Sequence, residues 1–485
     1  MSRSDYRKPG FGTRLPRTTP AQAGVREEDI EAMIREYAKE GMRIHSFILV
    51  RNGFVFGEGY YSPYDRMQPQ TVYSLSKSFT SAAVGIACSE GILSLEERIA
   101  DIFADELREY GIVPDAKFQA MKIRHLLTMS TGQEEQEFGE DSIRLFLEKE
   151  CVDRPGERFR YQTSATYLCS AALHKKGIDL EEYLNEKLFA PMGVSGMHWQ
   201  RCRKGICMGG IGLSLLPEVI AKFGILLLQD GRWNDRQLIP ADYVRLATSK
   251  QINNSTEPDT ESDWGVGYGY QFWQCRHNSF RGDGRYGQLC VVSREKGAVL
   301  AMTAFLDDMQ KELDIYYRNI LEKMQDMPIE EPEADERDGL KKALFEPACL
   351  MEPMEDDGTE IPEDYLQKEI SIRERGVMRL YRAGKELEAE VMAGADTERV
   401  RLSRGGFRDQ ETWRRNSIYV QGRIAASLPH STRILAGYGM QEGRLVLRIF
   451  VPEMLEDLKI VLTCTEKGIL VEFYDVHNPA EPVKL

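Results

Sequence analysis

The chain has 485 residues, of which 42% are hydrophobic, and a formal net charge of −14 at pH 7. This length predicts two or three domains, and the acidic balance argues against nucleic acid and anionic membranes as partners. No apolar run predicts a transmembrane helix or a secretion signal, and nine cysteines without paired spacing are typical of reduced thiols, so we expect a cytoplasmic protein.

The first part of the chain predicts strands that alternate with helices. We expect residues 1 to about 25 to be an irregular lead-in. The alternation of strands and helices continues from there to about residue 325. An apolar strand at residues 47–50 and a turn at residues 51–53 precede a helical run of small residues at 79–88. A helix of such small residues packs closely, so we expect it in the core.

A candidate nucleophile stands where that helix begins. Ser74 lies three residues before Lys77, so both side chains share one helix face and the amine can reach the hydroxyl. A lysine in an apolar pocket loses affinity for its proton and can activate a serine. Helix N-terminal N–H groups can also stabilise developing negative charge. On this context alone, a catalytic site and a buried helix with a capping serine both stay open.

The same four-residue pattern occurs again at Ser293 and Lys296. About one or two such matches are expected by chance in a chain of this length. The second match lies between strand-like runs at residues 289–292 and 298–301, with Gly297 at the bend. It therefore predicts a solvated hairpin turn and no chemistry.

Two further segments are candidates for chemistry. Tyr161 follows a Pro-Gly turn and precedes a helix-like run, so its ring could pack in a core or its phenol could share a proton with a lysine. Residues 282–287 match the G-x-G-x-x-G pattern of dinucleotide-binding loops. A strand follows them where that fingerprint requires a helix, which argues against a dinucleotide cofactor.

Other familiar signals are missing from the sequence. There is no G-x-S-x-G, which argues against an α/β-hydrolase, and no H-E-x-x-H or C-x-x-C, so no metal site is expected. His125 sits in a helix-like apolar stretch and is expected to be structural. Cys202 and Cys207 lie near glycines, where buried thiols are the expectation and metal or redox roles the alternative.

The last part of the chain changes in character. Residues 326–362 are acidic and contain prolines, the composition of a linker. Within residues 363–485, short runs of alternating or β-branched residues recur between turn signals, at 370–372, 387–391, 418–424, 445–450, 460–464 and 469–473. This spacing predicts a smaller all-β domain, barrel- or sandwich-like, after a catalytic-looking domain at residues 1–325.

Taken in order, these segments resemble the serine beta-lactamase and penicillin-binding-protein superfamily, most closely its class C-like branch with esterases and 6-aminohexanoate-dimer hydrolases. The S-x-x-K motif corresponds to Ser74 and Lys77. The Y-x-N or Y-x-S loop corresponds in part to residues 161–163, and the K-T-G or H-x-G strand to Gly282, Asp283 and Gly284. Segments at 123–132, 188–193, 209–213 and 267–273 also look familiar.

The resemblance covers about residues 20–325 and implies a fold and a mechanism. The fold would be α+β, an antiparallel sheet flanked by helices with an all-helical subdomain. Ser74 would attack a carbonyl and form an acyl-enzyme, while Lys77 and Tyr161 would share the general-base and general-acid work. The oxyanion would be held by the N–H groups of Ser74 and Arg285. No metal or organic cofactor is implied, and Gln288 is a further candidate substrate contact.

Two departures from the family pattern narrow the expected substrate. Thr163, a candidate substrate contact, replaces the usual Asn of the second motif, and its hydroxyl can substitute only in part. Gly282 stands where beta-lactam-processing members place a cation for the substrate carboxylate, although Arg281 or Arg285 could supply the charge. The expected substrate is therefore a small ester or amide in preference to a beta-lactam.

Three interpretations follow from these patterns. The first is an active cytoplasmic serine hydrolase of a small ester or amide. The altered motifs and the C-terminal β domain also allow a non-catalytic or slowly deacylating binding or sensing protein on the same fold. The third is a scaffold whose N-terminal domain merely packs.

Overall fold

The computed structural model describes residues 12–135, 141–255, 262–330, 354–371, 377–393, 396–413, 431–454, 456–466, 468–475 and 478–484. The chain divides into two compact units, Met1–Leu350 and Met351–Leu485. Residues 331–353 of the expected linker lie outside the described residues, so its limits at 326 and 362 stay a prediction. None of the helices in the described ranges is long and apolar enough to cross a membrane.

The first unit contains the α-helices. Those among the described residues are α1 (Glu27–Lys39), α2 (Ser76–Ser89), α3 (Ile99–Ile102), α4 (Ala104–Glu109), α5 (Ala116–Gln119), α6 (Ile123–Leu127), α7 (Ser142–Glu148), α8 (Thr163–Lys175), α9 (Leu180–Leu184), α10 (Pro217–Leu228), α11 (Ala241–Ala247) and α12 (Met309–Tyr316). Most of α3 to α9 are short and follow one another without long strands between them, which makes the all-helical subdomain that the sequence predicts.

The strands of this unit form one large sheet and two small ones. They are β1 (Arg43–Arg51), β2 (Phe54–Tyr60), β3 (Gln70–Thr71), β4 (His198–Trp199), β5 (Leu213–Leu215), β6 (Arg232–Trp233), β7 (Arg236–Gln237), β8 (Trp273–Cys275), β9 (Ser279–Gly284), β10 (Gln288–Ser293) and β11 (Ala298–Phe305). The large sheet has the order β2-β1-β11-β10-β9-β8, and every pairing in it is antiparallel.

Tight turns set the register of the sheet. Asn52 (φ 50°) and Gly53 (φ 85°) are both left-handed, as a two-residue turn between β1 and β2 requires. Between β10 and β11, Ser293 pairs with Ala298 and Gly297 takes a φ of 62°. The second S-x-x-K match is therefore a hairpin turn, as predicted.

Helices cover both faces of the large sheet. On one face, apolar side chains of α1 and α12, among them Ile30 and Leu313, form a cluster with Leu289 and Leu300 of the sheet. On the other face α10 packs against the sheet, and Phe79 of α2 stacks on Phe223 of α10 at 3.9 Å between ring centroids. The central strands are buried on both faces, which explains their continuous apolar runs. This is the α+β fold that the sequence predicts.

The described residues of the second unit form β-strands and short 3-10 turns. Its strands are β12 (Ile370–Ser371), β13 (Val377–Ala383), β14 (Glu386–Ala393), β15 (Asp396–Arg404), β16 (Arg408–Trp413), β17 (Ser431–Gln441), β18 (Arg444–Val451), β19 (Glu456–Thr465), β20 (Gly468–Asp475) and β21 (Asn478–Lys484). They form one sheet in which β15 pairs with β17 in parallel and β12 contacts β20, so the sheet curls into a nearly closed barrel.

Five of the six predicted runs of this unit coincide with strands, and residues 418–424 lie outside the described residues. The predicted runs do not include strands β13, β15, β16, β17 and β21. The reason is visible in β15, where Val400 and Leu402 are buried while the residues between and around them are charged or polar. A strand with a single packed face carries a weak apolar signal.

Candidate active site

Ser74 lies in a 3-10 turn, Tyr73–Leu75, that leads directly into α2. The turn packs against the third-motif strand β9. A Cβ added at Gly282 would lie 2.4 Å from the Leu75 Cδ1 atom, and one at Gly284 would lie 2.1 Å from the Val72 carbonyl oxygen. A side chain at Gly284 would meet backbone, and one at Gly282 would displace Leu75 and Ser78. Because these two residues have no side chain, the backbone of β9 can run beside the candidate nucleophile.

The side chain of Lys77 is 1% exposed and points at Ser74. Its Nζ atom lies 2.9 Å from Ser74 Oγ, 3.2 Å from Thr163 Oγ1 and 2.8 Å from the Gly210 carbonyl oxygen. The i, i+3 spacing on one helix face thus delivers the contact that the sequence predicts.

Burial lowers the pKa of the Lys77 amine from 10.5 to about 7, although the carboxylates of Glu135 and Asp283 act in the opposite direction. A substantial share of this amine is therefore neutral at pH 7. A neutral amine has two N–H groups and one lone pair. The Gly210 carbonyl can only accept, and the Thr163 hydroxyl can accept the second N–H, so the lone pair is left for the Ser74 hydroxyl. This is the arrangement of a general base.

Tyr161 contacts Ser74 from another side. A side-chain hydrogen bond joins the two hydroxyls, and Lys77 Nζ lies 4.9 Å from the centroid of the tyrosine ring. The ring stacks on Trp273 at 5.4 Å and meets the edge of Tyr268 at 6.4 Å. The packing role and the chemical role left open by the sequence are thus compatible, since the ring packs while the hydroxyl faces the serine.

The protonation state of Tyr161 distinguishes it from Lys77. Burial raises the pKa of its phenol above the ordinary value of 10, and the hydrogen bond with Ser74 lowers it by less. The phenol is therefore protonated near neutral pH and can donate a proton. Lys77 is the better base of the two.

A loop of glycines supplies a contact that the sequence did not assign. Gly210 brings its carbonyl to Lys77, and a Cβ at this position would lie 2.8 Å from Thr163 Cγ2. The hydroxyl of Thr80 in α2 donates to the Gly209 carbonyl at 2.8 Å and holds the loop. The sequence signal for this contact is the Gly209-Gly210 pair, which lies in the segment 209–213 that resembles the family.

The third motif contains the acidic residue Asp283, next to the position at which beta-lactam-processing relatives have a cation. Asp283 Oδ2 accepts a hydrogen bond from Arg281 Nε at 2.8 Å, and Arg281 is 0% exposed. Burial raises the pKa of Asp283 above 3.8, against the opposing effect of Arg281. Arg285 follows β9 directly, and its exposed guanidinium lies 4.6 Å from the ring centroid of Tyr286.

Gln288 lies behind this turn and is 0% exposed. Its Nε2 atom donates to the Arg285 carbonyl at 3.2 Å and to the Ala304 carbonyl at 2.6 Å. The amide therefore braces the turn that holds Arg285, and direct contact with a substrate stays a prediction.

The remaining sequence candidates are His125, Cys202 and Cys207. The Nδ1 atom of His125 accepts from the Lys122 N–H at 3.1 Å, and burial lowers the pKa of the imidazole to about 4, which fits a structural role. Cys202 and Cys207 are free thiols, as are the other cysteines in the described ranges. No group of three or more His, Cys, Asp or Glu side chains within the described part of the chain is arranged to hold a metal ion.

Comparison with known proteins identifies one family for this chain. A family model described as Beta-lactamase matches residues 30–323. No curated protein matches the chain.

Solved structures share the fold at low identity. A candidate 6-aminohexanoate-dimer hydrolase from Bacillus anthracis is 17% identical, with a TM-score of 0.52, 64% of this chain covered and 86% of that one. A candidate beta-lactamase from Bacteroides dorei is 17% identical, with a TM-score of 0.53 and coverage of 61% and 99%. The octameric penicillin-binding protein homologue from Pyrococcus abyssi is 15% identical, with a TM-score of 0.50 and coverage of 92% and 99%. Such likeness establishes a fold and not a substrate.

Proposed function

Because this chain belongs to the beta-lactamase family, we propose that it is a serine hydrolase that cleaves a small ester or amide through an acyl-enzyme on Ser74. The observation that supports this most is the 2.9 Å contact between Lys77 Nζ and Ser74 Oγ, made by a buried amine whose pKa is about 7. A serine alone is a poor nucleophile, and a neutral amine at this distance supplies the base it needs.

Acylation begins when Ser74 Oγ attacks the substrate carbonyl carbon. The serine proton passes to the neutral Lys77 amine, and the oxyanion accepts hydrogen bonds from the N–H groups of Ser74 and Arg285. The bond from the carbonyl carbon to the leaving oxygen or nitrogen then breaks. The Tyr161 hydroxyl gives its proton to that atom and is reprotonated from Lys77, so the amine is neutral again.

Deacylation repeats the same proton path in reverse. A water molecule attacks the acyl carbonyl and gives one proton to the Lys77 and Tyr161 pair. The bond between the carbonyl carbon and Ser74 Oγ breaks, and the serine oxygen takes that proton back. The products are a carboxylic acid and the free enzyme, with no cofactor consumed.

An ester or a short amide fits this site better than a beta-lactam. The position of the substrate-binding cation is Gly282, where a Cβ would already lie 2.4 Å from Leu75 Cδ1 and 2.8 Å from Ser78 Oγ. The nearest arginine in sequence, Arg281, is 0% exposed and bonded to Asp283. A substrate carboxylate would find no free cation on this strand.

The test combines covalent labelling with turnover. We expect an activated phosphonate to label Ser74, identified by mass spectrometry, and a chromogenic acetate or butyrate ester to be hydrolysed over many cycles. The same protein with Ser74→Ala is the control for both readouts. Labelling without turnover would instead indicate the non-catalytic sensor, and absence of both would reject a reactive Ser74.

A further inference from the structure

A buried glutamine lies between the helices that carry the reacting groups. Gln271 comes just before β8, is 2% exposed and has a φ of 68°. This left-handed conformation is unfavourable for any residue with a Cβ atom, and it persists only where surrounding contacts fix it. Because such backbone outliers cluster at functional sites, the contacts of Gln271 are of interest.

Gln271 makes a hydrogen bond to each of two helices, α2 and α8. Ser78 Oγ, in the residue after Lys77, donates to the Gln271 carbonyl oxygen at 2.8 Å. Thr166 Oγ1, three residues after Thr163, donates to Gln271 Oε1 at 2.8 Å. One residue therefore bridges the two helices next to the place where Lys77 Nζ lies 3.2 Å from Thr163 Oγ1.

The amide nitrogen of Gln271 binds a third helix. Its Nε2 atom donates to the carbonyl oxygens of Leu126 and Leu127 at 3.1 and 2.9 Å, and the backbone N–H of Gln271 donates to the Leu127 oxygen at 3.1 Å. These carbonyls end α6, and the last C=O groups of a helix have no partners within it. The amide thus donates twice and accepts once, which neither a carboxylate nor an apolar side chain of this length can do.

The contact between Lys77 and Thr163 depends on how α8 packs against α2. Thr163 is the first residue of α8, so its hydroxyl moves with that helix. The separation of 3.2 Å lies at the upper end of the range for an N–H···O hydrogen bond, so a small displacement of α8 would break it.

We infer that Gln271 is a positioning residue, which holds the Thr163 hydroxyl within hydrogen-bond reach of Lys77 and so helps to set the charge state of the base. The inference rests on the proposed hydrolase function and adds a residue to its machinery. No hydrogen bond in the described part of the chain joins Gln271 to Ser74 or Lys77, so it acts through Ser78 and Thr166. The rival is a purely structural role that leaves Lys77 unaffected.

The experiment measures the pH dependence of kcat/KM for p-nitrophenyl acetate, with the full chain and its Gln271→Met variant. Methionine keeps the length of the side chain but cannot replace the amide as a donor. We expect the fall in kcat/KM to shift to lower pH by about half a unit, because the ammonium form of Lys77 loses an acceptor. At pH 8, kcat should decrease by about three- to tenfold, because a displaced base transfers the proton more slowly, while KM changes by less than about twofold.

A double-mutant cycle tests whether the effect passes through Thr163. In a Thr163→Val background, Gln271→Met should shift the pH profile no further, because the acceptor that Gln271 positions is already absent. Ser81→Ala is the matched control, since the buried Ser81 hydroxyl links α2 to the Tyr243 hydroxyl at 2.9 Å without involving α8. Urea unfolding should show that both Gln271→Met and Ser81→Ala are destabilised, and only Gln271→Met should shift the profile.

The outcomes separate this inference from the proposed function. Absence of ester turnover in the wild-type chain would reject the hydrolase and this inference with it. An unchanged profile in Gln271→Met, a shift to higher pH, an equal shift in Ser81→Ala or full additivity with Thr163→Val would overturn the positioning role and leave the hydrolase standing.

A second variant keeps the test decisive should Gln271→Met fail to fold. Thr166→Val removes only the hydroxyl at the α8 end of the bridge and keeps the shape of the side chain. We expect it to shift the profile in the same direction as Gln271→Met. A folded Thr166→Val variant with the wild-type profile would overturn the positioning role.

Discussion

The chain contains one four-residue pattern in two places, and only one of them has the environment of a reactive site. Lys77 is 1% exposed and bonded to Ser74, Thr163 and Gly210. The side chain of Lys296 is 27% exposed and its Nζ atom donates to the Met324 carbonyl at 3.2 Å. Identical spacing therefore produced a buried amine in contact with its serine in one place and a solvated amine in the other.

Backbone geometry explains the difference. Ser74 and Lys77 lie where a 3-10 turn enters α2, so residues three apart lie on one face. Ser293 ends a strand and Lys296 lies in the hairpin turn that follows, where no such face exists. The lesson is that the pattern becomes a candidate site only when helix geometry and burial are added to it.

Removal of the serine should give the largest difference between the two copies of the pattern. We expect Ser74→Ala to lower kcat/KM by about 10⁴-fold or more, since loss of a nucleophile removes the covalent route. Ser293→Ala, the matched change in the second pattern, should alter it by less than about twofold. Steady-state kinetics with a chromogenic ester measure both, and a Ser74→Ala enzyme with wild-type rates would contradict the assignment.

The two lysines give the next largest effect. Lys77→Met keeps the length and the apolar character of the side chain but removes the amine, and we expect a loss of about 10²- to 10⁴-fold in kcat/KM, the usual contribution of a general base. Lys296→Met should have no measurable effect on rate. Circular dichroism should show that both variants are folded, and equal losses in both would mean that burial does not distinguish the patterns.

The pH dependence of kcat/KM should report the charge state of Lys77. The amine must be neutral to accept the serine proton, and burial lowers its pKa to about 7. We expect kcat/KM to fall about tenfold per pH unit below pH 7 and to level off above it. Stopped assays between pH 5.5 and 8.5 measure this dependence of kcat/KM on pH.

A change at Thr163 should shift the pH below which kcat/KM falls. Thr163→Val removes an acceptor for the ammonium form of Lys77, which makes that form less favourable, so the fall in kcat/KM should shift to lower pH. Thr163→Ser retains the hydroxyl and should keep the wild-type profile. A profile without pH dependence in the wild-type enzyme would argue against Lys77 as the base.

The smallest expected effect concerns the buried carboxyl group of Glu312. Glu312 is 0% exposed, and neither carboxyl oxygen has a hydrogen-bond partner in the described part of the chain. Burial raises the pKa of this carboxyl well above 4.5, so the folded protein holds a proton that the unfolded chain releases above pH 4.5. The stability contributed by Glu312 is therefore full below pH 4.5 and is lost as the pH rises toward the folded-state pKa.

Glu312→Gln removes this dependence while it keeps the shape of the side chain. We expect the variant to gain unfolding free energy over the wild type as the pH rises from 5 to 8, by at most about 1.4 kcal/mol per pH unit. Urea unfolding at several pH values measures the difference. Parallel stability curves for the two proteins would show that the carboxyl of Glu312 is not protonated in the fold.

Much of the N-terminal unit could be predicted because its signals are local. The apolar strand β1, the turn at Asn52 and the small-residue helix α2 each follow from residues close together in the sequence. Strand β15, which was missed in the second unit, has Val400 and Leu402 buried on one face and charged or polar residues on the other, so its pattern alone did not identify it.

The sequence alone was enough to predict the contact between Ser74 and Lys77 and to assign Ser293 and Lys296 to a turn, because both follow from local spacing. It also indicated the family, because the motifs occur in the family's order. The tertiary structure decided what lowers the pKa of Lys77. Thr163 and Gly210, which hold its amine, are 86 and 133 residues away along the chain. Burial by such distant segments sets the charge state of Lys77, and no local pattern encodes it.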